Sequence, residues 1–459
     1  MLETFEPQQE DHILGKTLMD EIRKDMQRSV LPTALNRAPL NWGTAGRGKL
    51  SGEQWHVLGI VHLPVTLIRI WGFTRSPPKP SDDSSAMEHQ QYKRELDSQA
   101  RFQMMLYNYI DLVKAVTLAN NRTTSRAHAD SYDFHLFRYF SGADRLYRAL
   151  QSKPIQHVSG HFGEFLSELG PAHAYQTSGF ERVNHQLQQI KTNGKVGQIE
   201  GTFLRRYSEA ATLAGILASD PAMKQSAESL LGQYTKQRHR NSMASQMMRE
   251  DLSLEDGVNG SEINLHDTAL QALNAIFPDQ RFVTEQWREY PRLILEGVKY
   301  AASLESRRSV PGSYVMLRHA VSTNPAIDRA ALLCHIFKDN NGSLYVLYRL
   351  FNPAMELEVD QYRALEMGHL TSPDLEETLH ITSAANIVCP CVATEMEIYG
   401  LKVLHILPYN RRRPSFEMKP QALLTVERVT DKRTSPEGEA EGEGAVEEEL
   451  RPSKRRRID

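Results

Sequence analysis

Residues 331–351 read ALLCHIFKDNNGSLYVLYRLF. Two runs rich in apolar, β-branched and aromatic residues, 331–337 and 344–351, flank Asp339, Asn340, Asn341 and Gly342. An Asn-Gly pair between two such runs is a hairpin signal, because both central turn residues must take positive φ. Residues 313–317 upstream, and 386–388 and 403–407 downstream, add short runs of the same kind. Five or six short strands predict a small β-barrel over 306–415.

The barrel is bounded by unlike sequence on both sides. Downstream, 416–459 is charge-segregated: Glu437, Glu439, Glu441 and Glu443 alternate with Gly or Ala, and Glu447–Glu449 precede Lys454, Arg455, Arg456 and Arg457. Such a segment lacks the apolar residues for a core and is expected to be disordered. Its terminal basic cluster reads as a nuclear import signal, against a plain solubilising tail. Upstream, 221–305 reads as a helical linker region, with packing helices expected at 266–277 and 282–303.

Residues 1–220 read as helical, which makes the whole chain α+β. Ile13, Leu14, Leu18, Ile22 and Met26 recur at helical steps until Pro32. Residues 54–71 form a strongly apolar run predicted to be a buried helix, kinked or restarted at Pro64. Pro77, Pro78 and Pro80 with neighbouring Ser and Asp predict a loop over about 74–91. Further helices are expected over 92–119 and 125–150. Their aromatic stripes read as core before they read as base-stacking surfaces. The loop GTAGRGK at 43–49 lacks the Ser or Thr that a phosphate-binding P-loop needs after its Lys.

Composition narrows the function classes. The 459 residues are 40% hydrophobic and 24% charged with a net charge of −3, so any nucleic-acid surface must be local. Three cysteines, Cys334, Cys389 and Cys391, make no disulfide framework, and Cys389 and Cys391 lack a zinc spacing. No apolar run is read as a membrane span, and no membrane partner is expected.

The chemistry-bearing stretch is 157–217. Gly170-Pro171 breaks it, and a new helical pattern starts at Phe180-Glu181 with Val183, Leu187 and Ile190. Glu181 at a helix start is favoured by the helix dipole. It reads either as that alone or as a hard oxygen ligand on a rigid element. His157 and His161 are one turn apart and could share a metal, but Val158, Ser159 and Gly160 between them are not the HExxH zinc pattern. No metal is assigned to them; they read as a helix-capping and core-packing pair. Lys191, Lys195, Arg205 and Arg206 surround a turn and the next amphipathic helix. They read as a phosphate-binding group or as a solvated helix face.

Gly170-Pro171 followed by Phe180-Glu181-Arg182, Asn184 and Leu187 resembles the GP…FERxNxxL signature of CACTA (En/Spm-type) transposases, especially those of fungal genomes. Gly48-Lys49-Leu50, Trp55, Leu63-Pro64, Leu67 and Trp71 resemble the GKLxxxxW…LPxxLxxxW run of the same family, so the resemblance covers about 15–220. Gly312, Tyr314, Val315, Ala331, Ile336, Phe337, Asp339 and the run 346–351 are similar to a bromo-adjacent-homology (BAH) or SH3-like barrel. They also resemble the small β-domain of plant CACTA transposases.

The resemblance implies an RNase H-like fold in which three acids hold two divalent metals, with Glu181 as the third acid and His157, His161, Arg182 and Asn184 bracing it. The first two acids belong on strands upstream, and no such β-pattern precedes Glu181. Asp25, Asp111 and Asp130 lie in helical or loop patterns. The expectation is therefore a catalytically incomplete, transposase-derived DNA- or chromatin-binding protein in the nucleus. It has no cofactor, and its barrel is open to a protein or histone-tail ligand. Two alternatives stand beside it: a nuclease subunit completed in trans, which would use Mg²⁺, and a protein-interaction scaffold. Oligomeric state is left open.

Overall fold

A computed structural model describes residues 15–44, 46–147, 153–175, 190, 195, 197–219, 253–254, 261–263, 271, 274, 287–295, 297–303, 310–321, 324–354 and 357–410. The chain is α+β, with a closed six-stranded barrel in its C-terminal half. The barrel strands are β7 (Tyr314–Val321), β8 (Asn324–Lys338), β9 (Leu344–Pro353), β10 (His369–Leu375), β12 (Ile387–Ile398) and β13 (Leu401–Pro408). They run β7-β8-β9-β10-β13-β12 and close on β7, every pairing antiparallel. A further strand, β11 (His380–Ser383), pairs with the outer part of β9.

The hairpin expected at Asp339–Gly342 is present. Asp339 Oδ1 accepts from the Ser343 amide at 2.7 Å, and Gly342 takes φ +91°. A second tight turn joins β12 to β13 through Tyr399 (φ 54°) and Gly400 (φ 85°), the two positive values that a hairpin twist favours. Tyr399 holds this uncommon conformation with its ring against the Arg75 guanidinium, 4.2 Å away.

Alternation along the strands sorts the side chains into an inside and two outer faces. Tyr314, Met316, Leu332, Phe351, Cys391, Ala393, Leu404 and Ile406 form one buried cluster contributed by strands around the barrel, and fill its interior. Cys389 and Cys391 stand two apart on one strand, so both point inward; all three cysteines are buried and form no disulfide. A bulge between Ile387 and Cys389 shifts β12 by one residue, so Ile387 faces outward with Leu317 while Cys389 faces in with Met316.

The outer face of β7, β8 and β9 is covered by Tyr290, Leu293 and Tyr300. These come from β4 (Trp287–Tyr290), β5 (Arg292–Leu295) and β6 (Val298–Ala301). The helix expected over 282–303 is thus corrected to strands. Pro291 removes an amide that a helix would need, and Gly297 (φ 75°) turns the chain back into a hairpin. The short strands β2 (Ser253–Leu254) and β3 (Ser261–Ile263) also fall in the stretch read as helical linker.

The outer face of β12, β13 and β10 is covered by helices. They are α1 (Lys16–Arg28), the continuous helix α2 (Gly52–Gly72) and the C-terminal half of α3 (Ala86–Ala119). Val61, Val65, Ile68, Leu106 and Ile110 meet Val392, Met396, Val403 and Leu407 in one core. By length and composition α2 could cross a membrane, which corrects the expectation that no apolar run is long enough; most of its apolar window is buried here as a core helix.

Helix α2 starts at a capping box, Ser51 with Gln54. Pro64 then dictates its irregularity. The helix widens into a π turn at Leu58–His62, where the Leu63 amide bonds to Leu58 O. The matching partner of Gly59 O would be the amide of Pro64, which has no hydrogen. The Tyr109 hydroxyl of α3 donates to that carbonyl instead.

Two links tie helices to barrel across the chain. The short strand β1 (Ser29–Val30) pairs with β12, and the Ser29 and Thr394 hydroxyls share a hydrogen bond of 2.9 Å. In α8 (Gln361–Ala364), the fully buried Tyr362 donates to Val65 O at 2.7 Å, and its ring lies 4.1 Å from that of His405.

Helix α3 begins at Ala86, inside the stretch read as loop. The signal was there: Ser85 and Glu88 form a capping box. Strand β10 escaped notice because Pro373 interrupts its pattern.

Candidate functional site

The region expected to carry chemistry lies beyond α3. Helix α4 (Arg126–Leu146) starts at Ser125, whose side chain accepts from the His128 amide. One face packs on α3 through Ala129, Tyr132 and Leu136 against Ala115 and Leu118. The Tyr132 hydroxyl donates to Ser159 O at 2.9 Å, which fixes the end of α5 (Pro154–Ser159). Leu166 of α6 (Phe162–Glu168) closes the same cluster.

Among the described residues, other apolar side chains of these helices are uncovered. Phe134 and Phe137 are 50% and 55% exposed, and Ile155 and Val158 of α5, Phe165 of α6 and Leu169 after it are exposed as well. A cavity of about 480 Å³ opens among Phe137, Phe140, Asp144, His157 and His161. His157 sits in α5 and His161 at the start of α6, with their rings edge to face at 5.0 Å. Both are exposed, so they are not the core-packing pair expected; His161 occupies the N-cap position of α6 without a side-chain cap bond. The expected bracing of Glu181 is not tested by this geometry, because Glu181, Arg182, Asn184 and Lys191 lie outside the described residues, as do Lys454–Arg457.

Lys195, Arg205 and Arg206 are all exposed, the last two on α7 (Ile199–Ser219). Arg206 Nη1 stands 3.4 Å from Glu209 Oε2, a surface pair of little energetic weight. Leu204 and Tyr207 are exposed on the same helix.

The upstream acids are engaged in structure. Asp25 is only 2% exposed and accepts from Arg69 Nε at 2.9 Å between α1 and α2. Burial raises its carboxyl above the usual range even though Arg69 opposes the shift. Asp111 accepts from His135 Nδ1 at 2.8 Å and lies 3.3 Å from Arg138 Nε. Asp130 pairs at the surface with Arg126. Among the described residues no group of three His, Cys, Asp or Glu side chains is placed to hold a metal.

A polar cluster on the outside of the barrel was not foreseen. The buried Tyr348 hydroxyl and His319 Nδ1 share a hydrogen bond of 2.9 Å. His380 packs on both rings and lies 3.5 Å from Glu376, which also pairs with Arg329 at 2.7 Å. Burial pushes the Tyr348 hydroxyl up to about 12. Burial, helped by His380 and Arg329, lowers His319. The cluster depends on the pairing of β11 with β9, and β11 carries too short a pattern to be read from sequence. Its hydrogen bonds and ring contacts join β7, β9 and β11, which is a structural use of the residues.

No family model, curated protein or solved structure matches this chain.

Proposed function

We propose that this chain is a transposase-derived, catalytically incomplete DNA-binding protein that works on chromatin in the nucleus. In this reading 1–220 is the remnant of an RNase H-like transposase with its helical insertion, and the barrel is of the BAH or SH3-like kind with a protein tail as its ligand. The sequence support is the ordered block resemblance over about 15–220. The observation that carries the reading is the exposure of Lys195, Arg205 and Arg206 beside and along α7, where each can reach a phosphate. The engagement of Asp25 and Asp111 by Arg69, His135 and Arg138 is consistent with their serving structure and not metal binding.

The test is duplex DNA binding across a salt series. Each phosphate contact adds about 0.9 to the slope of log K against log salt. The variant Lys191→Ala, Lys195→Ala, Arg205→Ala, Arg206→Ala should therefore bind more weakly, with a slope shallower by up to about 3.6. Absence of binding at low salt would overturn the reading.

The scaffold reading is favoured by a separate observation, the exposed side chains of Phe134, Phe137 and Phe165. Exposed apolar side chains mark interaction sites where they form one patch. It becomes the stronger reading if DNA does not bind and a Phe137→Ser variant loses a protein partner that the parent chain retains.

A further inference from the structure

Strand β12 keeps its place in the barrel wall for only part of its length. It pairs with β7 from Ile387 to Pro390, and beyond that the two-residue strand β1 takes the same edge at Ala393 and Thr394. Strand β7 begins at Tyr314. Among the described residues the wall between Tyr314 and β1 is open, and a cavity of about 520 Å³ fills the gap. That volume is in the range of small-ligand sites, and barrel mouths are a recurring place for them.

The floor is apolar. Leu31 and Leu35 form one side, while Tyr314 and Leu404 belong to the barrel interior. The rim is charged. Arg28, at the end of α1, makes no hydrogen bond or ion pair among the described residues. An Arg37 Nη donates to Ser29 O, and Arg37 has no carboxylate partner among the described residues. Across the rim Glu395 is exposed and likewise forms no ion pair there. Two guanidinium groups against one carboxylate leave an excess of one positive charge, which suits a monoanion better than a dianion. His62, which feels the charge of Arg37, is buried and neutral, lowered to about 3 by burial and by Arg37.

The geometry points to a binding site for a small amphipathic carboxylate, its apolar body in the gap of the barrel wall and its carboxylate on Arg28 and Arg37. A guanidinium fork matches a carboxylate in two parallel hydrogen bonds. The apolar floor supplies burial that a bare inorganic anion would not use. This inference is independent of the DNA-binding reading.

Calorimetric titration of the full chain with decanoate, decan-1-ol and decylammonium, below their aggregation limits, tests it. Decanoate should bind one-to-one and at least about tenfold more tightly than decan-1-ol, with decylammonium weakest. Arg28→Ala with Arg37→Ala should bring decanoate down to the level of the alcohol and leave the alcohol unchanged. Arg28→Ala alone guards against misfolding, since that side chain holds nothing in place, and should give part of the loss. Arg28→Glu with Arg37→Glu should turn the preference toward decylammonium. Equal binding of decanoate and decan-1-ol, unchanged affinity in the double alanine variant, or no decanoate binding at millimolar concentration would each overturn the assignment.

Discussion

Helices α1 to α3 and helices α4 to α6 differ in what their buried apolar side chains pack against, the barrel for the first group and α3 for the second. The first group packs a core on the barrel: Val61, Ile68 and Leu106 are buried there and the irregular carbonyl of Gly59 finds a donor, while Trp55, Met87, Leu96 and Tyr107 stay exposed. Helices α4 and α6 bury a seam against α3, and Phe134, Phe137 and Ile155 are exposed, as is Leu204 on α7. Helical periodicity shows that a face is apolar. It does not show whether anything covers that face.

The contrast makes predictions of graded size. The largest concerns Tyr362, which links α2 to the barrel. Tyr362→Ala should destabilise the chain by about 4 kcal/mol. Tryptophan fluorescence and far-UV circular dichroism should report one shared urea transition for α1–α3 and the barrel. Two separated transitions would break the comparison, because the helices would then not depend on the barrel.

A smaller effect follows from pH. His62 and His405 are buried, and their ring pKa values fall from the ordinary 6.5 to about 3, with burial the first cause for both. Between those values the unfolded chain binds protons that the folded chain does not. The stabilisation is therefore whole above pH 6.5 and is lost as pH falls toward 3. By pH 5 the loss should be on the order of 2 kcal/mol per histidine. Urea midpoints of the parent chain and of His405→Gln, measured from pH 7 to 5, should show a flatter dependence in the variant. Parallel curves would remove His405 from the account.

The smallest effect belongs to the exposed phenylalanines of α4. Phe134→Ser with Phe137→Ser should move stability by no more than about 0.5 kcal/mol. A loss of several times that size would mean they are covered after all, and would sharpen the contrast into a difference of partner.

Legibility in the sequence follows the same division. The β8–β9 hairpin could be read because its turn chemistry and its strand pattern agree at Asp339–Gly342. Residues 287–301 could not, because Arg288, Glu289, Arg292 and Lys299 dilute the apolar pattern of the short strands that Pro291 and Gly297 separate. The restart of α2 at Pro64 was visible, but the Tyr109 hydroxyl that completes it comes from 50 residues away. The two barrel-rim arginines carried no signal either, since Arg28 and Arg37 become neighbours of Tyr314 and Leu404 only once β1 has joined β12. Exposed basic residues were expected on α7 and are exposed there. Their ligand is a question for binding measurements.

The bond between Ser29 and Thr394 spans 365 residues. At about 5–20 residues per second, a ribosome needs about 20–70 s to make the second residue after the first. Helix α2, apolar enough to be mistaken for a membrane segment, leaves the exit tunnel early and waits that long for its cover. We expect nascent chains stalled before Ile387 to hold α2 open to protease and to chaperones, and chains extended past Pro408 to protect it. Equal protection at both lengths would show that α2 is sheltered before the barrel exists.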